Sequence, residues 1–273
     1  MFIPGIVSVT FRGHSPETVA DLAAEAGLRA VEWGGDIHVP PTDPANAAHV
    51  GQLTRDRGLG VISYGSYFRA GYSAQADFAA ELEAARQLGA PNIRIWAGKK
   101  GSADETDRRT VADSIRVCAD ACADAGMTLS LELHGGTLTD NPDSALRLMD
   151  ETAHENLHLY WQPNQHRDLP YNLDCLHRLL PHITNVHVFH WAGKEKFPLQ
   201  EGESVWRQYI DILAGSGRDH GLLMEFVADG SDGQFREDAA VLLQWLRWCA
   251  PRRRFVRHFS PWASRNTGRL CCR

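Results

Sequence analysis

The 273-residue sequence predicts one α/β domain folded as a single (β/α)8 TIM barrel. Eight short apolar runs, rich in β-branched and aromatic residues, alternate with segments of helical periodicity as far as residue 250. No long polar linker interrupts the alternation, and parallel strands need crossover helices of this kind. The alternative is a doubly wound open sheet, but Arg12–Ser15 (RGHS) after the first run is not the glycine-rich phosphate-binding sequence of that fold. These observations favour the barrel.

The eight apolar runs are predicted to be buried parallel strands. They are Ile6–Phe11, Ala30–Trp33, Gly60–Tyr64, Asn92–Ala97, Thr128–His134, Leu157–Gln162, Ile183–His190 and Gly221–Val227. Ser15 before Pro16 is a typical start of a helix, and Gly27 is a typical end. The same ending is predicted at Gly58, Gly89 and Gly126, and apolar stripes predict helices over Thr110–Ala125, Asp143–Asp150 and Phe235–Trp248.

Composition narrows the class of protein. The chain is 43% hydrophobic and 23% charged, which is typical of a globular enzyme and excludes a disordered or coiled-coil protein. No apolar run approaches the roughly 20 residues that cross a bilayer, and Met1–Thr10 lacks the features of a signal peptide. We therefore expect a cytoplasmic protein with no membrane partner. Six cysteines are too sparse for a disulfide scaffold, and we expect Cys118 and Cys122 to be buried thiols.

The charge is distributed unevenly along the chain. Residues 251–273 contain seven arginines and no acid, so a net charge of -6 for the whole chain means -13 for the first 250 residues. We predict a barrel over 1–250 and a basic, poorly ordered extension over 251–273. The acidic body argues against nucleic acid as a partner, because phosphate neutralisation supplies most of that affinity.

Four consecutive predicted strands, the fifth to the eighth, carry metal-ligand types near their carboxyl ends. These residues are Glu132, Gln162, His187 and Glu225. Acids and histidines inside apolar strands are costly to bury unless they are paired or bind a metal, and the carboxyl ends of barrel strands converge. Two carboxylates, an amide oxygen and an imidazole suit Mn²⁺ or Mg²⁺ best, with Co²⁺, Fe²⁺ or Zn²⁺ also compatible. The sequence thus predicts a divalent metal site.

Other residues near the strand ends are expected to contact a substrate. Trp33, Tyr64 and Trp96 are predicted to form apolar walls, although aromatic residues in strands are also common in cores. Arg12 and Lys196 are expected near the rim, where each is suited to an anionic group. The remaining candidates are histidines close to the strand ends, namely His38, His134 and His190.

The sequence resembles a known family over roughly residues 3–250. LELHGG at Leu131–Gly136, NVHVFHW at Asn185–Trp191 and LLMEFV at Leu222–Val227 resemble the xylose isomerase-like TIM barrels, specifically the sugar phosphate isomerase/epimerase branch. VEWGGDIHVP at Val31–Pro40 and IRIWAG at Ile93–Gly98 are similar to a bacterial subgroup of that branch. The order and spacing of these motifs carry the resemblance.

The resemblance implies a metal held by Glu, Asp, His and Glu on the fifth to eighth strands. Three of these sites match Glu132, His187 and Glu225. At the fourth site Gln162 replaces the usual Asp, and Gln165 stands where the family has a substrate-binding His, with His166 one place further on. We expect Gln165 and His166 to contact the substrate. Because an amide brings no charge, the metal affinity is expected to be lower than in an Asp-containing relative.

The function implied by the resemblance is a metal-dependent isomerase or epimerase of a sugar, sugar acid or cyclitol. Such enzymes remove a proton next to a carbonyl through a metal-stabilised enediolate, and Glu132 and Glu225 are the predicted catalytic groups. No nucleotide cofactor is expected, since no dinucleotide-binding fingerprint is present. A homo-oligomer is compatible with the sequence, which shows no interface.

Three alternatives remain open from the sequence. A metal-dependent dehydratase or other lyase would use the same site, because enolates also expel β-hydroxyl groups. Phosphodiester cleavage, as in related DNA repair endonucleases, conflicts with the acidic body and with the few histidines available for several metals. A non-catalytic sugar-binding barrel would account for the loss of the usual Asp and His at Gln162 and Gln165.

Overall fold

The computed structural model of the chain describes residues 1–248, in which eight parallel strands form a closed barrel. The barrel strands, numbered here from first to eighth, are Phe2–Val7, Ala30–Gly34, Gly60–Arg69, Asn92–Trp96, Thr128–Glu132, Leu157–Trp161, Ile183–Val188 and His220–Met224. Each strand pairs with its sequence neighbours, and the first pairs with the eighth from Phe2 opposite His220 to Ile6 opposite Met224. The predicted (β/α)8 barrel is confirmed.

A helix follows each strand and covers the outside of the barrel. The helices in the described part of the chain are Pro16–Glu25, Pro44–Asp56, Phe78–Leu88, Arg108–Asp124, Pro142–Thr152, Leu169–Leu179, Glu203–Gly215 and Asp232–Trp248. The predicted start of the first helix is confirmed, since the Thr18 amide donates to Ser15 Oγ at 3.3 Å. The predicted glycines have positive φ angles of 72–80°, which suits the end of a helix: Gly27, Gly58, Gly89 and Gly126.

Several predictions about individual elements need correction. The third strand runs on to Arg69 and does not end at Tyr64, and the eighth ends at Met224 and not at Val227. The first strand ends at Val7 rather than at Phe11, because Ser8–Phe11 forms a 3₁₀ turn. The strand begins earlier because Gly5 lets it approach the second strand, where a Cβ would lie 2.6 Å from the Ala30 carbonyl oxygen. In helix Arg108–Asp124, Val117 is 51% exposed and does not join the buried stripe.

Side chains alternate between two environments along each strand. One set packs between the strands and the helices, where it forms the main hydrophobic core. The other set points into the barrel, where a small apolar cluster of Val7, Val9, Tyr160 and Leu223 lies. This inner set positions the site described below.

Three cysteines of the described residues, Cys118, Cys122 and Cys175, are free and buried, which confirms the prediction for the first two. No helix within residues 1–248 is long and apolar enough to cross a membrane. A short hairpin, Trp191–Ala192 paired with Glu195–Lys196, follows the seventh strand. The predicted basic extension over 251–273 lies outside the described residues.

Candidate active site

The four predicted metal ligands converge at the carboxyl end of the barrel. Glu132 is the last residue of the fifth strand, and His187 lies within the seventh. Gln162 and Glu225 each come directly after a strand, the sixth and the eighth. The Glu225 amide donates to the Val188 carbonyl at 3.0 Å, which extends the ladder by one residue and fixes the backbone of Glu225 beside the seventh strand.

The donor atoms of these residues surround one point. His187 Nδ1 lies 3.2 Å from Gln162 Oε1, 3.4 Å from Glu225 Oε2 and 3.8 Å from Glu132 Oε1. Ligand atoms around one ion with bonds of about 2.1 Å lie about 3.0–3.4 Å apart in octahedral or tetrahedral geometry. One ligand atom each from Glu132, His187 and Glu225 lies within 4.8 Å of the others. The donor set therefore fits a single divalent ion.

The side-chain amide of Gln162 is oriented by its neighbours. Gln162 Nε2 donates to the Leu133 carbonyl at 2.7 Å and to Glu132 Oε1 at 3.3 Å. A carbonyl oxygen only accepts hydrogen bonds, so the NH₂ group must face Leu133. The amide oxygen is thereby turned toward His187, which is the orientation that a metal ligand needs.

Glu132 is held by two donors from the fourth strand. The guanidinium of Arg94, whose side chain is only 4% exposed, donates from Nη1 to Glu132 Oε2 and from Nε to Glu32 Oε1 at 2.8 Å. Trp96 Nε1 also donates to Glu132 Oε2, at 2.5 Å. One carboxylate oxygen of Glu132 is thus occupied, and the other faces the cluster of ligands.

Glu225 is held less firmly than Glu132. Among the described residues, its ion pair is with His187 alone, whose Nδ1 lies 3.4 Å from Glu225 Oε2. Immediately after it, Phe226 has a φ of 60°, an uncommon value for a residue with a large side chain. The Phe226 amide donates to Thr10 Oγ1 at 3.0 Å, which holds this strained turn in place.

The buried charges shift the pKa values of the two glutamates in opposite directions. Burial raises the pKa of Glu225, and the repulsion from Glu132 adds to this effect. Burial also disfavours ionised Glu132, but Arg94 and His187 outweigh it and lower the pKa of that carboxyl. In the same way, the pKa of Glu32 is about 2, because Arg94 and His187 overcome burial. Environments that separate the pKa values of two carboxyls separate their roles in acid–base chemistry.

His187 is the buried cation of the cluster when no metal is bound. Burial alone would lower its pKa, but the carboxylates of Glu225, Glu32 and Glu132 raise the pKa of His187 to about 9. The imidazole has to be neutral to ligate a metal, so a metal and a proton compete for this position.

A cavity of about 490 Å³ opens above the ligand cluster. Glu132, Gln162 and Glu225 form its floor. Its lining contains an aromatic group, Phe189, Trp191 and Phe226, and a polar group that includes His134, Asn164, Gln165 and His166. The cavity has room for a small polyhydroxylated molecule with one apolar face.

The family model described as a xylose isomerase-like TIM barrel matches residues 20–248. The chain belongs to the xylose isomerase-like TIM barrel family. Among characterised relatives, it is 33% identical to a 3-dehydroshikimate dehydratase of Bacillus anthracis over 132 residues, which are 45% of this chain and 42% of the relative. The matched region therefore spans less than half of that relative.

Two solved structures illustrate the shared fold. A xylose isomerase-like TIM barrel protein of Mycobacterium smegmatis in complex with magnesium has a TM-score of 0.72, with 16% identity over 90% of this chain and 97% of that one. An L-ribulose 3-epimerase has a TM-score of 0.69, with 16% identity over 91% of this chain and 96% of that one.

Within this xylose isomerase-like barrel, half of the predicted substrate contacts line the cavity. They are Arg12, Trp96, His134, Gln165 and His166. Arg12 is paired with Asp36 and donates to the Tyr67 hydroxyl at 2.5 Å, so its guanidinium is fixed at the rim.

The structure places three other predicted contacts in the core and away from the cavity. Trp33 Nε1 donates to Thr54 Oγ1 in the second helix, and the Tyr64 hydroxyl donates to the Val39 carbonyl. His38 is buried against Ser8 Oγ at 2.9 Å. Because Trp33 and Tyr64 lie on the outer face of their strands, we replace the expectation of a substrate contact with a packing role for all three.

His190 and Lys196 also do not line the cavity. The His190 ring packs against Phe197, with ring centres 5.7 Å apart. Lys196 Nζ lies 4.8 Å from the ring centre of Phe226 and 5.2 Å from that of Trp191, on two aromatic residues of the cavity wall. Lys196 is therefore at the edge of the site and not within it.

Glu32 and Arg94 were not predicted from the sequence to serve the site. They lie on the second and fourth strands, where Arg94 contacts Glu132 and Glu32 lies beside His187. Both stand in short apolar strands, AVEWG and NIRIW, where a charge is costly to bury without a partner. The signal available in the sequence was that these two residues carry opposite charges and lie on the second and fourth strands.

Proposed function

We propose that this protein is a divalent-metal-dependent enzyme that removes a proton next to the carbonyl of a sugar, sugar acid or cyclitol and returns it to a neighbouring atom. The observation that carries the proposal is the unequal environment of two glutamates on one ligand cluster. Arg94 and Trp96 donate to Glu132, whereas within residues 1–248 the ion pair of Glu225 is with His187 alone. Membership in the xylose isomerase-like family supports it.

Glu132, Gln162, His187 and Glu225 would hold the ion. A bound divalent cation supplies Lewis-acid stabilisation of the negative charge that develops on a carbonyl oxygen when the adjacent carbon loses a proton. The residues of the chain supply the rest. The aromatic group of Phe189, Trp191 and Phe226 orients the apolar face of the substrate and excludes water, while the polar group of the lining accepts its hydroxyl groups.

Glu225 is the proposed proton carrier. A carboxylate of raised pKa is the stronger base and takes up a proton more readily than one whose ionised form is favoured, and the pKa of Glu225 is raised by burial and by Glu132. The hydrogen bonds from Arg94 and Trp96 require Glu132 to accept on Oε2, and they favour its ionised form. With one carrier, the proton returns on the side from which it was taken. We therefore favour aldose–ketose isomerisation over epimerisation, which needs two carriers on opposite faces.

A dehydratase is the second candidate, favoured by the sequence similarity to the 3-dehydroshikimate dehydratase of Bacillus anthracis. The same single carrier suits this reaction. Glu225 would take the proton next to the carbonyl and pass it to the departing β-hydroxyl, which leaves as water as the carbon–carbon double bond forms.

The test is proton exchange with solvent. The Mn²⁺-loaded protein is incubated in D₂O with ketoses, aldoses, keto-cyclitols and 3-dehydroshikimate, and products are followed by ¹H NMR. One deuterium in an isomerised product supports the isomerase, and a new alkene supports the dehydratase. An epimer with deuterium at the inverted carbon would contradict the single carrier. Binding without exchange of any compound would support the non-catalytic alternative.

A further inference from the structure

We propose that Glu32 and Arg94 form a mutually neutralising positioning pair that orients two ligands of the metal site, Glu132 and His187. The inference rests on the metal site of the proposed function and extends it to two residues outside the ligand set, of which Arg94 also lines the cavity. The pair connects the second, fourth and fifth strands through one buried guanidinium.

Arg94 orients Glu132. Its Nη1 and the indole of Trp96 both donate to Glu132 Oε2, so this oxygen is unavailable and only Oε1 can face an ion. Its Nε is bound to Glu32 Oε1 at 2.8 Å, which fixes the plane of the guanidinium. The orientation of the ligand carboxylate is therefore set three strands away, at Glu32.

Glu32 also faces His187 from behind. Glu32 Oε1 lies 3.7 Å from His187 Nε2, on the side of the ring opposite to the ligand cluster. Among the described residues, His187 Nε2 and Glu32 Oε2 are buried side-chain atoms that make no hydrogen bond. Metal-ligating histidines commonly direct their second N–H to a carboxylate, which fixes the tautomer and the ring. A small approach of these two groups completes that arrangement.

The pair is neutral in itself, so the charges of the buried site balance with both members present or with both removed, but not with one member alone. Glu32, Glu132 and Glu225 bring three negative charges and Arg94 brings one positive charge. One divalent ion then makes the sum zero, with Gln162 contributing none. Without Glu32, the guanidinium of Arg94 would remain beside Glu132 and compete directly with the ion for that carboxylate.

The experiment is a titration of the purified full-length protein with Mn²⁺, by calorimetry, for four forms: the wild type, Glu32→Gln, Arg94→Met and the double variant. We expect Glu32→Gln to weaken Mn²⁺ binding by roughly 10- to 100-fold, the usual range for a residue that supports a metal ligand. Removing the unpaired guanidinium as well should restore affinity, so the double variant should bind about tenfold more tightly than Glu32→Gln. Arg94→Met should bind Mn²⁺ more tightly than Glu32→Gln.

Glu81→Gln is the matched control, because Glu81 is also a buried glutamate but lies on the third helix, outside the site. It should leave Mn²⁺ affinity unchanged. Circular dichroism checks that each form is folded. Should Glu32→Gln not fold, the double variant, which has no unpaired charge at these two positions, carries the test and should bind within about tenfold of the wild type.

Two outcomes would overturn the inference and leave the proposed function standing: Glu32→Gln that binds Mn²⁺ as tightly as the wild type, or a double variant that binds no better than Glu32→Gln. A wild type that binds no Mn²⁺ would overturn both. A third outcome is that the wild type binds Mn²⁺ and the variants follow the expected order of Mn²⁺ affinity, but no substrate exchanges deuterium. This outcome would support the positioning pair and contradict the proposed function alone.

Discussion

The first four strands and the last four strands contribute to the site in different ways. The last four supply the atoms that surround the candidate metal position, from Glu132, Gln162, His187 and Glu225. The first four supply Glu32, Arg94 and Trp96, which act on Glu132 and His187. One half offers ligands, and the other half fixes their orientation and charge.

The difference shows that the direction of a side chain matters more than its position near a strand end. Glu32 and Trp33 are consecutive, yet the first points into the barrel and the second points outward to Thr54 in a helix. Arg94 and Trp96 are two residues apart and both reach Glu132. Because successive side chains alternate between the faces of a strand, only every second residue can reach the site.

The largest effect is expected in the ligand half, at Glu225. Glu225→Gln keeps the size of the side chain but removes the proton carrier, so we expect solvent deuterium exchange to fall by on the order of 10²- to 10⁴-fold or more. The exchange rate is measured by NMR with saturating Mn²⁺. Glu203→Gln, a half-buried position at the start of a helix and outside the cavity lining, is the control and should exchange normally. Full exchange in Glu225→Gln would remove Glu225 from the mechanism.

In the orienting half, the largest expected effect is on stability. Arg94→Met leaves Glu32 and Glu132 buried without their cation, which should lower the free energy of unfolding by about 3–5 kcal/mol. Urea unfolding measures the change, and saturating Mn²⁺ should recover part of it by supplying positive charge to Glu132. Arg12→Met is the matched control, because the Arg12–Asp36 pair is at the rim and should be worth about 1 kcal/mol or less. Equal losses in the two variants would contradict the division between the halves.

The fold was largely predictable from the sequence, because its signals are local. The helix ends at Ser15 and Gly27 follow from capping chemistry, and the eight apolar runs follow from strand burial. The first strand was misplaced by four residues, since Ser8–Phe11 is as apolar as a strand but turns into a 3₁₀ helix. Its true extent depends on pairing with the eighth strand, which no local pattern contains.

The site was predictable only in part, because its residues meet through the closure of the barrel. Glu132, His187 and Glu225 could be found from their residue types at strand ends. Trp33 and Tyr64 were predicted as substrate contacts from their place near strand ends. That place does not show on which face of the strand a side chain lies. The bond between Arg94 and Glu32 joins residues 62 positions apart, and only the order of the strands brings them together.

His187 lies where the two halves meet, and it gives a prediction for pH. Its pKa is raised from a usual value near 6.5 to about 9, so the stabilising contribution of its charge is fully present below pH 6.5 and is lost as the pH rises through 9. Between these values, unfolding of the metal-free protein should become easier by about 1.4 kcal/mol for each unit of pH.

Urea midpoints across this pH range, with and without Mn²⁺, measure the effect. Saturating Mn²⁺ should remove the slope, because a ligating imidazole stays neutral across this pH range. His187→Asn, measured without metal, should also show no such slope. A flat profile for the metal-free wild type would mean that His187 does not carry the charge that the carboxylates of both halves favour.

The smallest expected effects test side-chain direction within the orienting half, through two tryptophans whose indole N–H groups have different acceptors. Trp33→Phe removes a bond to Thr54 in the core and leaves the cavity untouched, so it should cost about 2 kcal/mol of stability with no change in turnover. Trp96→Phe removes a bond to the charged Glu132, worth about 1.5–3 kcal/mol, so it should lower turnover roughly 10- to 100-fold.

The two substitutions are chemically identical, so each is the control for the other. Urea unfolding and deuterium exchange are measured on both variants, and we expect the losses to fall on opposite assays. Reduced turnover in Trp33→Phe at unchanged stability would return Trp33 to the substrate site. Such a result would also mean that the face of the strand does not decide which residues serve the site. The orienting role of the first four strands depends on that rule.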